Sequence, residues 1–324
     1  MASIAIIGTG AVGGYYGARL AKAGHDVRFL ARSDYRAISE SGLDIRSHEG
    51  DFQLRPASVF RSAAEIGVVD WVICALKTTS LDQAPALIAP CAGPATRVLA
   101  LMNGLGIEER LAAYFDRRRI FGAMAFVCIN RTGPGVIHHL KYGRLSIGHL
   151  DDDPAETTAL AELLRGANLD VVTAPNLRWA RWDKLCWNIP FNGLSVAAGG
   201  IGTEAITGDD LLRGTAERAM REVVSLGNAD LAAAGSPDRL ETAEVVARMF
   251  SLTDTMGNYH TSMALDYAQA RPLEVETILG EPSRRAAALG VHVPTIDALY
   301  TLVHAADLRR RSIIPSVGDE NGGQ

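Results

Sequence analysis

Ile4-Ala5-Ile6-Ile7-Gly8-Thr9-Gly10-Ala11-Val12-Gly13 runs four β-type apolar residues straight into three glycines spaced G-x-G-x-x-G. An alanine-rich helical stretch over 12–23 follows at once, and a second apolar run begins about 20 residues past the loop. A glycine triplet alone is weak evidence and can mark nothing more than a tight turn between strand and helix. Strand before, helix after and second strand at this distance supply the context the motif requires. Gly8 then makes the turn, Gly10 lets the backbone approach a pyrophosphate, and Gly13 lets the helix press on the sheet. The N–H groups of Ala11 and Val12 at the helix start face the phosphates.

Outward from this loop, the runs 4–7, 27–30, 71–76, 98–102 and 121–129 are apolar with little alternation, as in strands buried on both faces. Helical segments near 81–88 and 107–114 separate the later ones. The repeated strand–helix–strand order predicts an α/β fold with a doubly wound, mostly parallel sheet. Past the turn Thr132-Gly133-Pro134-Gly135, segments 136–139 and 144–147 predict two shorter strands. A helix over 155–165 and a strand over 170–173 would complete this domain. From Pro175 onward strand runs nearly vanish, and helices are expected over 177–196, 211–234, 241–250, 273–289 and 295–306. The expected division is a dinucleotide-binding domain over 1–174, a mostly α-helical substrate domain over 175–315, and a polar, glycine-rich tail over 316–324 that frays.

Composition sets the class. The 324 residues are 48% hydrophobic and 21% charged, ordinary globular values that suit two domains. A net charge of −5 leaves no broad basic field, so nucleic acid and anionic membrane are not expected partners. Cys74, Cys91, Cys128 and Cys186 lie far apart without metal-ligand spacing, which suits a reducing, cytoplasmic setting and predicts no metal site. Neither a signal-peptide pattern nor an apolar run of membrane-spanning length is present.

The tip of the second strand selects the cofactor. NAD-binding chains usually place Asp or Glu there for the ribose 2′-hydroxyl, whereas this chain reads Phe29-Leu30-Ala31-Arg32-Ser33. Arg32 can fork onto a 2′-phosphate, so NADPH is the expected cofactor. Asp34, the one acid nearby, stands two positions late. Lys77 and Asn103 follow the strands 71–76 and 98–102, where ligands of open α/β sheets bind; capping a loop is the alternative for each. In the second half, Lys184, Asn188 and Asn192 are spaced i, i+4, i+8 and share one helix face among Trp182, Trp187 and Phe191. Burying an amine and two amides there is costly unless they meet a polar ligand, although a solvent-facing stripe would give the same spacing. Pro190 removes one helical hydrogen bond. Further on, Pro272 fits the first turn of a helix and places Glu274 at its positive end, where a carboxylate also serves simply to stabilise the helix.

These pieces together resemble the ketopantoate reductase (2-dehydropantoate 2-reductase) family over nearly the whole length. The resemblance is carried by Gly8-x-Gly10-x-x-Gly13, Arg32, Leu76-Lys77, Asn103-Gly104-Leu105-Gly106, Lys184-x-x-x-Asn188-x-x-x-Asn192, and Ser262 followed twelve residues later by Glu274. It implies a Rossmann-type domain followed by a helical one, reduction of a 2-keto acid ketone by NADPH, and most directly the formation of pantoate in pantothenate biosynthesis. Lys184 resembles the catalytic lysine and Glu274 the active-site glutamate. Asn103, Asn188, Asn192 and Ser262 match substrate contacts, and Lys77 and Asn103 lie by the cofactor. A homodimer is suggested by fold-level analogy. One departure bears on the substrate: Gly202 stands where some members carry a further asparagine. A reductase of the same family acting on another small ketone or keto acid is therefore an alternative, and a non-catalytic NADPH sensor is another.

Overall fold

A computed structural model describes residues 1–311 of the chain. The tail over 316–324 and the last four residues of the expected helical domain lie outside the described residues. By its contacts the chain divides into two compact units, Met1–Ala180 and a second beginning at Arg181, so the division falls within a helix.

The first unit is the α/β one. Its elements are β1 (Ser3–Ile7), α1 (Ala11–Lys22), β2 (Asp26–Leu30), α2 (Tyr35–Ser41), β3 (Leu43–Ser47), β4 (Phe52–Leu54), β5 (Ser58–Phe60), α3 (Ala63–Ile66), β6 (Trp71–Cys74), α4 (Ala84–Ile88), β7 (Arg97–Leu101), α5 (Ile107–Ala112), β8 (Ile120–Gly133), β9 (Val136–His149), α6 (Pro154–Gly166) and β10 (Val171–Thr173). All ten strands join one sheet ordered β4-β3-β9-β8-β7-β6-β1-β2-β5, with β10 also on β9. From β5 to β8 every pairing is parallel; β8–β9 and β3–β4 are antiparallel. The run β5-β2-β1-β6-β7-β8 has the Rossmann order, with the chain reversing direction across the sheet at β1.

Alternation along the central strands feeds two cores. Ile4, Ile6, Trp71, Ile73 and Leu99 face one side, where Tyr15, Tyr16 and Leu20 of α1 cover them. Ala5, Ile7, Val72, Cys74 and Val98 face the other, under Ile88 of α4 and Leu111 of α5. Strands covered on both faces carry the unbroken apolar runs seen in the sequence.

Three expectations change here. The two short strands expected over 136–147 form one strand, β9, paired along β8 with register shifts near Phe126, Cys128 and Arg131. The helix expected over 81–88 begins as a 3-10 turn, Thr78–Gln83, before α4. Strands β3, β4 and β5 were not expected at all. Leu43-Asp44-Ile45-Arg46-Ser47 alternates polar and apolar residues, and β4 and β5 span three residues each.

The second unit contains helices and no strand among the described residues. They are α7 (Leu177–Ala197), which starts in the first unit, α8 (Thr203–Gly208), α9 (Asp210–Ala233), α10 (Thr242–Asp254), α11 (Ser262–Ala268), α12 (Glu281–Leu289) and α13 (Pro294–Arg310). Trp182 of α7 is fully buried, and its indole N–H donates to Asp230 of α9 at 2.8 Å. Gly227, one turn earlier on α9, lets the two helices meet: a Cβ there would lie 3.0 Å from the Trp182 ring. Glu222 of α9 accepts the backbone N–H groups of Thr295 and Ile296, closing the start of α13. Ahead of α12 lies a π turn, Glu276–Gly280, and the continuous helix starts only at Val275. Pro272 thus precedes the helix rather than sitting in its first turn, because Leu273 donates its N–H sideways to Asp307 at 3.1 Å.

Candidate active site

In the first unit the glycine loop joins β1 to α1. Gly8 has φ +102°, and a Cβ there would lie 2.9 Å from the Leu76 nitrogen, two residues past β6. At Gly13 a Cβ would overlap the carbonyl oxygen of Gly8 and lie 3.0 Å from the Ala75 side chain. Gly10 differs from both, since nothing lies within 4 Å of the place its Cβ would take. Two glycines are thus required by protein packing, and the third leaves open space at the head of α1. Gly10 is also the N-cap of α1 and has no side chain to satisfy the first N–H groups, among them those of Ala11 and Val12. Open space beside unsatisfied donors at a positive helix end suits a diphosphate. On these grounds the residues present fit a dinucleotide.

Arg32 follows β2 by two residues and is exposed, and its guanidinium has no polar partner among the described residues. Asp34 does not offer a ribose acceptor. Only 4% exposed, it accepts hydrogen bonds from the Ser33 hydroxyl at 2.8 Å, the Gly135 N–H at 3.2 Å and the Arg131 guanidinium. Burial disfavours its charge, but these donors, Arg131 foremost, outweigh it and hold the carboxyl below the ordinary range. Lys77 is exposed and precedes the 3-10 turn. Asn103 is half-buried after β7, where Gly104 and Gly106 take positive φ.

In the second unit α7 runs through Pro190 and carries Lys184, Asn188 and Asn192 on one face. Lys184 is half-buried, with Nζ 5.9 Å from the centre of the Trp187 ring, while Asn188 (4% exposed) and Asn192 (1%) are buried. The Asn192 carboxamide oxygen accepts the Met263 N–H at 3.3 Å, which ties this face to the start of α11 and so to Ser262, whose side chain is exposed. Trp187 is anchored by its N–H on the Thr253 hydroxyl at 3.0 Å and stacks at 5.1 Å on Phe191, so the tryptophans of this stretch are packing residues. Glu274, 9% exposed, directly precedes the helix that opens with the π turn.

Three features were not anticipated. Ser195, three residues past Asn192 and so near the same face, buries a hydroxyl with no hydrogen-bond partner, the one such side-chain atom among the described residues. The i+3 spacing was there to be read. Gly202 has no room for a side chain, because the Asn258 carboxamide oxygen occupies the place of its Cβ. Arg131 meets Asp34 across 97 positions, which no local pattern signals.

Taken together, a Rossmann sheet with a dinucleotide loop and a helical unit bearing an ammonium–amide face define a nicotinamide-dependent oxidoreductase. The ketopantoate reductase PanE/ApbA model matches residues 4–152, and its C-terminal counterpart matches residues 176–307. A 2-dehydropantoate 2-reductase from Nostoc sp. is 38% identical over 314 residues, covering 95% of this chain and 96% of that protein. The crystal structure of 2-dehydropantoate 2-reductase from Geobacter metallireducens GS-15 is 40% identical with a TM-score of 0.90, over 94% of this chain and 99% of that one. A D-mandelate dehydrogenase solved with NADH and anilino(oxo)acetate, at 24% identity and TM-score 0.86 over 95% and 99% of the two chains, shares the fold. The chain belongs to the ketopantoate reductase family.

Proposed function

We propose that this protein is an NADPH-dependent reductase that converts the ketone of 2-dehydropantoate to the alcohol of pantoate. The observation that carries the reading is the face of α7 on which a half-buried ammonium, Lys184, is aligned with the buried amides of Asn188 and Asn192.

The first unit holds the cofactor. Its loop from Gly8 to Gly13, with the N–H groups of Ala11 and Val12, receives the diphosphate, Arg32 the 2′-phosphate, and Lys77 and Asn103 stand beside the sheet-end ligand. When bound, NADPH supplies a hydride to the ketone carbon. Negative charge then grows on the ketone oxygen, where the Lys184 ammonium stabilises it. Lys184 gives that oxygen a proton, so one N–H bond breaks as the O–H bond forms, and solvent reprotonates the amine. Asn188 and Asn192 orient the substrate. With the Asn192 carboxamide oxygen engaged by Met263, its NH₂ is the end that serves a ligand oxygen. Asn103 and the Ser262 hydroxyl are neutral donors for the substrate carboxylate. Glu274 accepts a hydrogen bond from the Lys184 ammonium or from the substrate's hydroxyl. Asn258 supports pantoate despite Gly202, since it brings an amide to the space the glycine leaves.

The four cysteines are free and buried, which supports a cytoplasmic setting. A homodimer is carried over by fold-level analogy, and sedimentation equilibrium tests it. No helix among the described residues is long and apolar enough to cross a membrane. The function itself is tested by a panel of 2-keto acids, ketopantoate included, followed at the nicotinamide absorbance with NADPH. The highest kcat/KM is expected on ketopantoate. Activity confined to a bulkier ketone would replace this substrate, and no turnover with any member of the panel would leave a cofactor-binding protein.

A further inference from the structure

Asp34 puts an ionised carboxylate two residues from the arginine assigned to a 2′-phosphate, a place where a negative charge works against that ligand. Its oxygens, however, are occupied. One accepts from Ser33 and Arg131, the other from the Gly135 N–H in the turn between β8 and β9. Arg131 belongs to β8, and its side chain is 44% exposed, so it is not a packing residue. A third guanidinium, that of Arg61 just past β5, stacks 4.4 Å over the ring of Tyr35, the residue after Asp34. Two arginines from elsewhere therefore contact the segment 31–35, which carries a third, Arg32. Arg131 is paired with the acid, Arg61 lies on an aromatic face, and the Arg32 guanidinium has no polar or ring partner among the described residues.

We propose that Arg131 is a cofactor-selectivity residue that acts through Asp34: by neutralising this buried carboxylate it keeps Arg32 free for a 2′-phosphate. The inference rests on the assignment of NADPH to Arg32. With Arg131 removed, Asp34 keeps its Ser33 and Gly135 donors but no counter-charge. Arg32, two residues before Asp34 and with no polar partner for its guanidinium among the described residues, would turn to the carboxylate. The site would then lose its phosphate ligand and gain an uncompensated negative charge.

The test is calorimetric binding of two fragments, adenosine 2′,5′-bisphosphate and 5′-AMP, so that no turnover is needed. Wild type is expected to prefer the 2′-phosphorylated fragment; equal affinities there would remove the NADPH assignment before Arg131 is touched. Arg131→Met should weaken the 2′-phosphorylated fragment on the order of tenfold and leave 5′-AMP unchanged. Arg131→Lys, which keeps the charge, should stay near wild type. Arg131→Met with Asp34→Asn should regain the lost affinity, since no charge is left to compete. An unchanged fragment ratio in Arg131→Met overturns the proposal. So does failure of the double variant to recover, which would make Arg131 a direct phosphate ligand. Equal loss of both fragments would mean a general structural role and overturns it too.

Discussion

Two of the three loop glycines are held by protein packing and one is not, so alanine substitutions at Gly13 and Gly10 should fail in opposite ways. At Gly13 the added Cβ would overlap the Gly8 carbonyl oxygen and press on the side chains of Ala75 at 3.0 Å and Ile6 at 3.1 Å. Backbone on one side and a buried strand on the other leave little to yield. Overpacking of this kind costs about 1–3 kcal/mol, and a clash with backbone belongs at the upper end. About 3 kcal/mol corresponds to a loss of roughly 6–12 °C in Tm for a unit of this size. At Gly10 a methyl group meets no protein atom, and φ −86°, ψ −159° is open to alanine, so stability should change by less than about 1 kcal/mol. The methyl would, however, enter the space assigned to the diphosphate. Loss of one charge-assisted hydrogen bond, about 1.5–3 kcal/mol, weakens binding about 10- to 100-fold. Scanning calorimetry reads the first effect and isothermal titration with NADPH the second. Gly10→Ala with wild-type NADPH affinity would refute the placement of the diphosphate. Gly13→Ala with a wild-type Tm would refute the account of the packing.

Lys184→Ala should lower kcat by roughly 10²–10⁴-fold with little change in NADPH affinity, and Lys184→Arg should rescue poorly because guanidinium does not give up its proton; near-native turnover in the alanine variant would put the chemistry elsewhere. Arg32→Ala should weaken NADPH by about 1.5–3 kcal/mol for each hydrogen bond lost and leave NADH unchanged, which paired titrations with the two cofactors decide. Glu274→Gln should cut turnover or substrate affinity sharply while a thermal melt shifts little, with kcat falling if the carboxylate serves Lys184 and KM rising if it serves the substrate. The thiols should be inert in the native protein: burial pushes Cys74 up to about 12 and Cys186 well above its ordinary value, so a thiol reagent at pH 8 should label these two only after denaturation.

What the sequence made legible follows from where each residue gets its instructions. The strands β1, β2, β6, β7 and β8 were visible because burial on both faces writes an uninterrupted apolar run. The helices α9 and α13 were visible from length alone. Strand β3 escaped because Asp44 and Arg46 interrupt its apolar residues and it is held by a partner about 90 residues away. Strand β9 read as two pieces because Lys141-Tyr142-Gly143 breaks the pattern, and there Tyr142 takes a positive φ of 66° and the pairing with β8 shifts register. In the candidate site, the glycine loop and the α7 face were legible as local spacings. Asp34 looked like an available acid until Arg131 was seen on it, and Gly202 looked like a lost amide until Asn258 was found in its place. Both come from residues distant in sequence, which short-range patterns do not report.

The pairing of β3 with β9 sets the order in which the first unit can be completed. Asp44 to Ser47 line up with Val136 to His139, while β1, β2 and β5 have their partners within the first 74 residues. During synthesis the parallel β5-β2-β1 part can assemble early. In the β3–β4 hairpin the outer edge of β3 stays bare until β9 leaves the ribosome. A bare strand edge pairs readily with other chains, so this interval is when the nascent protein is most open to misassembly. Its exposed charges fit that hazard: Asp44 and Arg46 of β3 pair with each other at 3.3 Å, side by side along one face of the hairpin. The alternation that hid β3 from pattern reading is thus also what keeps the unfinished edge soluble.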